Sequence, residues 1–227
     1  MIFSDNFLIS DSGKKIYLRK WYPTNKKIKK VVLIVHGLGE HSGRYEHIAD
    51  KLTSKNAAVF ALDLIGHGKS EGKRGHINSI NEYLDSIEKT MILIGRKFLE
   101  IPMIIYGHSL GGLVCLKFLI EKESKEISKA ILSSPWIETK IKIPNYLLWI
   151  HKILHRIFPK LQLNNNLNIY DLSKEKDEVM KYKNDKLVHD KISLNLFSEI
   201  LNSIRDVKNR CNRIKVPSLL FHGEEDR

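Results

Sequence analysis

The sequence predicts an α/β fold: a mostly parallel sheet with helices on both faces and a helical insertion. Three observations lead there. Short, unbroken apolar runs alternate with longer stretches of helical spacing as far as Pro135. One of these runs leads into Gly-x-Ser-x-Gly and then into an apolar helix. Past Pro135 the alternation stops. Residues 142–214 offer helices and polar loops with no clear buried strand, and a last apolar run follows at Pro217–Gly223.

In chain order, Phe7–Ser10 and Lys15–Tyr22 read as antiparallel strands around Asp11-Ser12-Gly13. Val31–Val35 is apolar throughout, as expected of a strand covered on both faces. Arg44–Lys55 has helical spacing, with Ile48, Ala49 and Leu52 on one side. Ala58–Leu62 is the next buried strand. Ile80–Phe98 is a long helix with Tyr83, Leu84, Ile87, Met91, Ile92 and Ile94 inward. Pro102–Tyr106 and Lys129–Ser133 are further strands, separated by a helix with Leu113, Leu116 and Ile120 on one face.

The run Ile104-Ile105-Tyr106-Gly107-His108-Ser109-Leu110-Gly111-Gly112 is the most informative. Flanking glycines let a sharp strand-to-helix turn form, because a side chain at either would strike the neighbouring strand or helix. The serine hydroxyl then stands at the top of the sheet, facing the positive end of the new helix.

Composition narrows the class. The chain has 227 residues, 42% hydrophobic and 28% charged, enough for one domain with a large core and an inserted subdomain. Net charge is +12, with a pI near 9.5. The lysines are scattered, without a basic stripe and interleaved aromatics, so nucleic acid is not the expected partner. Lys26-Lys27-Ile28-Lys29-Lys30 reads as a solvated turn between strands. Cys115 and Cys211 read as free thiols in a reducing compartment. The start shows no signal peptide, and no apolar run is long enough to span a bilayer. The expected location is cytoplasmic or peripheral to a membrane. Pairs such as His36 and His41 lack the partners of a metal site, and Gly66-x-Gly68 is no dinucleotide fingerprint, so no metal and no cofactor are expected.

Four blocks together resemble the α/β-hydrolase superfamily, and within it the monoacylglycerol lipase and lysophospholipase group of serine aminopeptidase-like hydrolases. They are His36-Gly37-Leu38-Gly39-Glu40-His41-Ser42-Gly43-Arg44-Tyr45, Asp63 through Gly72, the turn around Ser109, and Val216-Pro217 through Gly223-Glu224-Glu225-Asp226-Arg227. The resemblance implies an α/β-hydrolase fold with a helical lid. Residues 1–136 and 214–227 would form the core and 137–213 the lid. It also implies that Ser109 attacks an ester carbonyl and that the backbone N–H groups of Leu38 and Leu110 hold the oxyanion. Asp226 would orient a histidine, with Glu224 and Glu225 as rival carboxylates and the Gly-x-x-Asp spacing favouring Asp226.

The superfamily order is serine, acid, histidine, yet none of the ten histidines follows Asp226. His36 and His108 read as loop-organising residues. The last strand and helix are absent as well. The expectation is a chain cut short at its C-terminus, which alone hydrolyses esters very slowly. The implied substrate is a single-chain lipid ester, a monoacylglycerol or lysophospholipid. A small-ester or peptide hydrolase, or a non-catalytic lipid-binding or membrane-binding remnant, are the alternatives. For Tyr146–Phe158, apolar on one broad face, two readings stay open: a lid helix packed on the body, or a lid facing membrane or acyl chain. From Lys142 to Arg213 there are fourteen Lys and Arg against eight Asp and Glu, a balance that fits anionic membranes weakly.

Overall fold

The structure, a computed structural model, describes residues 1–24, 27–122, 125–138, 144–165 and 175–223. Strands β1 (Ile2–Ile9), β2 (Lys15–Tyr22), β3 (Lys30–Val35), β4 (Ala57–Leu62), β5 (Met103–His108), β6 (Ile127–Ser133) and β9 (Ser218–Phe221) form one sheet in the order β1-β2-β4-β3-β5-β6-β9. β4, β3, β5, β6 and β9 run parallel, while β1 and β2 are antiparallel.

β3 and β4 sit at the centre, and all residues from Val31 to Val35 and from Ala57 to Leu62 are buried. Alternate residues serve opposite faces. Val31, Leu33, Val35, Phe60 and Leu62 join the larger core, shared with α2 (Asn81–Lys97), α3 (Leu110–Glu121) and α6 (Leu194–Arg210). Val32, Ile34, Val59 and Ala61 pack with Trp21, Tyr45 and Ala49 beneath α1 (Glu46–Ser54).

Three local expectations change. β1 is longer than its apolar core suggests, because all eight of its residues pair with β2 and the Phe3–Trp21 and Phe7–Tyr17 rings meet across the strands. The expected helix from Arg44 opens as a 3₁₀ turn, Ser42–Tyr45, before α1 begins. In α2, Ile92 lies exposed instead of inward. The buried stripe there runs through Tyr83, Ile87, Thr90 and Ile94, with Ser86 beside it. The two hydroxyls are hidden by bonding the backbone carbonyls four residues earlier, Ser86 to Glu82 at 2.7 Å and Thr90 to Ser86 at 2.8 Å.

Between β6 and β9 lie α4 (Asn145–Ile157), β7 (Gln162–Asn164), α5 (Lys176–Asn184), β8 (Lys191–Ser193) and α6. The segment expected to lack buried strands contains the antiparallel pair β7–β8, with Ile192 and Ser193 buried. Three residues per strand are too few for a period to show. α6 belongs to the body: Leu196, Ile200 and Val207 enter the larger core. α4 does not, for it buries no residue. Its inner side carries His151 and His155, bonded to Ser198 and Asn195 of α6 at 2.7 Å each. Its apolar stripe, Tyr146, Trp149, Ile150, Ile153 and Ile157, faces outward, with Trp149 65% exposed.

Candidate active site

β5 delivers the chain to Ser109, which has φ 50° and ψ −117°, a conformation strained for a residue with a side chain. Three backbone bonds hold it there. The Ser109 N–H donates to the Ser133 carbonyl (3.0 Å), and the Ser109 carbonyl accepts from Leu113 (3.1 Å) and Trp136 (3.0 Å). α3 starts at the next residue and lies hard against the end of β3. A Cβ on Gly111 would come 2.2 Å from the Val35 carbonyl oxygen and 2.5 Å from that of His36. Ser109 itself is only partly buried.

The loop after β3 passes beside this turn: a Cβ on Gly37 would lie 3.2 Å from the Cβ of Ser109. His36 organises the loop root. Its Nδ1–H donates to the Gly37 carbonyl (2.8 Å), and its Nε2 accepts from the Leu64 N–H (2.9 Å). Burial lowers its pKa, which matches this neutral tautomer. Glu40 then folds the loop onto itself, taking the Gly37 N–H at 2.6 Å and the Tyr45 hydroxyl at 2.7 Å, with Arg44 Nε 3.4 Å away. Burial works to raise the Glu40 pKa, but the neighbouring imidazoles and these two hydrogen bonds outweigh it, and the carboxyl titrates below its ordinary range. Burial and the adjacent carboxylate push the Tyr45 phenol well up.

Since Glu40 occupies the Gly37 N–H, the next donor along the loop is Leu38. Among the described residues neither the Leu38 nor the Leu110 backbone N–H has a hydrogen-bond acceptor. The loop after β4 supports the site from below. Asp63, fully buried, accepts from the Ser42 N–H (2.7 Å), the Ser42 hydroxyl and the Lys69 N–H (2.7 Å).

His67 and His189 extend the packing behind His36, with ring centroids 5.3 Å (His36–His67) and 4.7 Å (His67–His189) apart. Burial lowers both pKa values, His67 well below the ordinary range and His189 to about 4. His108 is taken up by the Ser133 carbonyl and hydroxyl through its Nδ1 (3.2 and 3.3 Å). Among the described residues no imidazole is hydrogen-bonded to the Ser109 hydroxyl.

Asp226, with Glu224 and Glu225, lies outside the described residues. The strand before it, β9, pairs with β6 so that Phe221 stands opposite Ser133, and the exposed His222 follows. The structure thus brings Ser109, Leu38 and Leu110 to one end of the parallel strands. Sequence reasoning assigns no role to Glu40, Asp63 or His189. Glu40 stands within the first of the four blocks and Asp63 opens the second, which is the available signal; nothing in the sequence marks His189. A polar cavity of about 360 Å³, lined by Ile80, Lys117, Glu199 and Asp206 among others, does not include any of these site residues.

The model of the family described as "Serine aminopeptidase, S33" matches residues 26–227. An abhydrolase domain-containing protein of Dictyostelium discoideum is 35% identical over 222 residues, 98% of this chain; the chain spans 23% of that protein's length. The phospholipase YtpA of Bacillus subtilis is 32% identical over 198 residues, covering 87% of this chain and 76% of that protein. Among solved structures, the monoacylglycerol lipase of Paleococcus ferrophilus is 36% identical, with a TM-score of 0.81, covering 92% of this chain and 77% of that one.

Proposed function

From a chain that belongs to the serine aminopeptidase-like α/β-hydrolases, in their monoacylglycerol lipase group, we propose a serine-dependent carboxylic ester hydrolase acting on single-chain lipids, a monoacylglycerol or a lysophospholipid. The observation that carries this reading is the strained Ser109, held at the start of α3 with the Gly37 end of the oxyanion loop against it, while the Leu38 and Leu110 N–H groups have no acceptor among the described residues.

The Ser109 Oγ attacks the ester carbonyl, whose oxygen takes up negative charge. The Leu38 and Leu110 N–H groups, already fixed by their loop and helix, stabilise that charge without reorganising. Collapse expels the glycerol-bearing alcohol and leaves an acyl group on Ser109, which water then hydrolyses. A histidine base takes the Ser109 proton and passes it to the leaving alcohol, with Asp226 orienting that base. Among the described residues no histidine is hydrogen-bonded to the Ser109 hydroxyl.

The lipid assignment over a small-ester one is favoured by α4. A helix that turns imidazoles inward and an apolar stripe outward suits contact with an acyl chain or membrane surface. The relatives' names, a phospholipase and a monoacylglycerol lipase, point to the same class. No helix among the described residues is long and apolar enough to cross a membrane.

The deciding experiment reacts the chain with a fluorophosphonate and locates the adduct by peptide mapping. Hydrolysis of monoacylglycerol, lysophosphatidylcholine and short-chain esters is measured in parallel. An adduct on Ser109, lost in Ser109→Ala together with a preference for long-chain esters, is expected. Turnover that survives Ser109→Ala would sink the serine mechanism, and equal rates across chain lengths would sink the lipid assignment.

A further inference from the structure

The lid's return segment grips the loop that carries Leu38, and it does so on the side that Glu40 does not reach. Two bonds make the grip. The His189 N–H donates to the Gly39 carbonyl at 2.9 Å. The approach is so close that a Cβ on Gly39, whose φ is 76°, would lie 2.3 Å from the His189 carbonyl oxygen. Two residues along the loop, His41 Nε2 meets Asp185 Oδ2 at 2.8 Å, while its Nδ1 accepts the Gly43 N–H at 3.1 Å. The second acceptance makes Nε2 the protonated nitrogen in the neutral ring, so it donates to the carboxylate. The His41 side chain is 7% exposed and that of Asp185 26%, so the imidazole is shielded from water and the carboxylate is partly open to it.

Asp185 also shapes the segment that bears His189. Its Oδ1 accepts the Leu187 N–H at 2.9 Å and its carbonyl accepts the Val188 N–H at 3.2 Å. One residue therefore closes the turn that aims His189 at Gly39, and its side chain alone ties both the Leu187 N–H of that turn and His41. Leu38 lies between the Glu40-bonded Gly37 and the His189-bonded Gly39, so both flanks of its peptide are tied. The Glu40 tie comes from within the loop, and the Asp185 tie comes from 144 residues away.

Resting on the reading of Leu38 as an oxyanion donor, we propose that Asp185 is a positioning residue for ester hydrolysis, holding the Leu38 N–H in register with Ser109 through His41 and through the turn that carries His189. Asp185 touches no substrate. It acts by making the lid's return segment the outer wall of the oxyanion loop, so that the lid base and the oxyanion site move as one body. Removing the tie leaves the Leu38 amide free to turn from the developing charge, and a misaligned donor forfeits part of the hundredfold or more that such a donor contributes.

The test compares the full chain with Asp185→Asn, which keeps the shape, and Asp185→Ala. Inactivation by a long-chain fluorophosphonate is resolved into a maximal rate and a half-saturating concentration, and amide hydrogen exchange is followed across residues 36–44. The expected result for both variants is a maximal rate lower by about tenfold to a hundredfold. The half-saturating concentration should stay within twofold. Exchange should be faster at Gly39–Ser42 and unchanged in β3 and β4. An unchanged maximal rate with unchanged exchange overturns the proposal. So does a loss confined to half-saturation, which would make Asp185 a binding residue, or faster exchange throughout the sheet, which would make it merely structural. If the unsubstituted chain takes no label on Ser109, the serine reading falls by itself. Exchange then decides whether the grip exists, and unchanged rates at Gly39–Ser42 refute it.

Discussion

Two glycine-to-alanine substitutions, placed at opposite ends of the available space, test how tightly the Ser109 turn is built. Both glycines are helical, so each alanine gains on backbone entropy, by about 0.5–1 kcal/mol at a mid-helix position and less in a first turn. Gly95 in α2 has nothing within 4 Å of where a Cβ would stand. Gly95→Ala therefore keeps the whole gain. Gly111 has the Val35 carbonyl oxygen at 2.2 Å and the His36 carbonyl oxygen at 2.5 Å from that point. An ordinary contact needs more than 3 Å, so α3 must retreat from β3 by roughly an ångström, against backbone that cannot rotate away. Overpacking in a rigid core costs about 1–3 kcal/mol, and the rigidity of both partners puts Gly111→Ala at about 3 kcal/mol or above. At about 2–4 °C per kcal/mol for a chain of this size, Gly95→Ala melts about 1–4 °C higher and Gly111→Ala at least 6 °C lower. Differential scanning calorimetry on the three proteins reads this directly. A Gly111→Ala melting point within 2 °C of the parent would refute the claim that the helix start and the strand end are in rigid contact.

Two further outcomes follow from the same geometry. His36, His67 and His189 are neutral in the fold, whereas in the unfolded chain they titrate near 6.5, so between pH 6.5 and about 4 the unfolded state binds more protons and stability falls as pH falls. His189 alone contributes about 2 kcal/mol across that window after allowance for its partial exposure, and urea midpoints that stay flat from pH 7.5 to 4.5 would contradict it. Replacing Trp149 and Ile153 of the outward stripe of α4 by serine is expected to weaken flotation with vesicles of phosphatidylcholine and phosphatidylglycerol by at least about tenfold, while equal flotation would show that the stripe does not meet lipid.

What can be read from the sequence is what is local. β3 and β4 are visible because an unbroken apolar run too short for a helix suits a strand covered on both faces. The Ser109 turn is visible because its glycines are spaced by the turn itself. Ile92 is misplaced because apolar residues at 91–94 run around the helix, while the hydroxyls of Ser86 and Thr90 disguise themselves by bonding their own backbone. The Asp185–His41 bond cannot be seen, since the partners are distant in sequence and each alone resembles an ordinary surface residue. Glu40 stands in plain view, but an acid that accepts a backbone N–H is spelled like one that faces water. The direction of α4 stays open in the sequence for a related reason. Its periodicity shows that one face is apolar and is silent on which face meets the body.

The pairing of β6 with β9 has a consequence for how the chain assembles. Ala130 and Ser218 stand side by side yet are 88 positions apart (218 less 130). Closing such a loop costs about 4 kcal/mol of chain entropy before any contact repays it. Four residue pairs on a strand whose Leu219, Leu220 and Phe221 remain exposed return little of that. β9 is therefore held less firmly than β3 and β4, whose residues are buried from Val31 to Val35 and from Ala57 to Leu62, and it detaches before them. In the interval the outer edge of β6 stays open beside the Ser109 turn, an invitation to strand exchange between chains at high concentration.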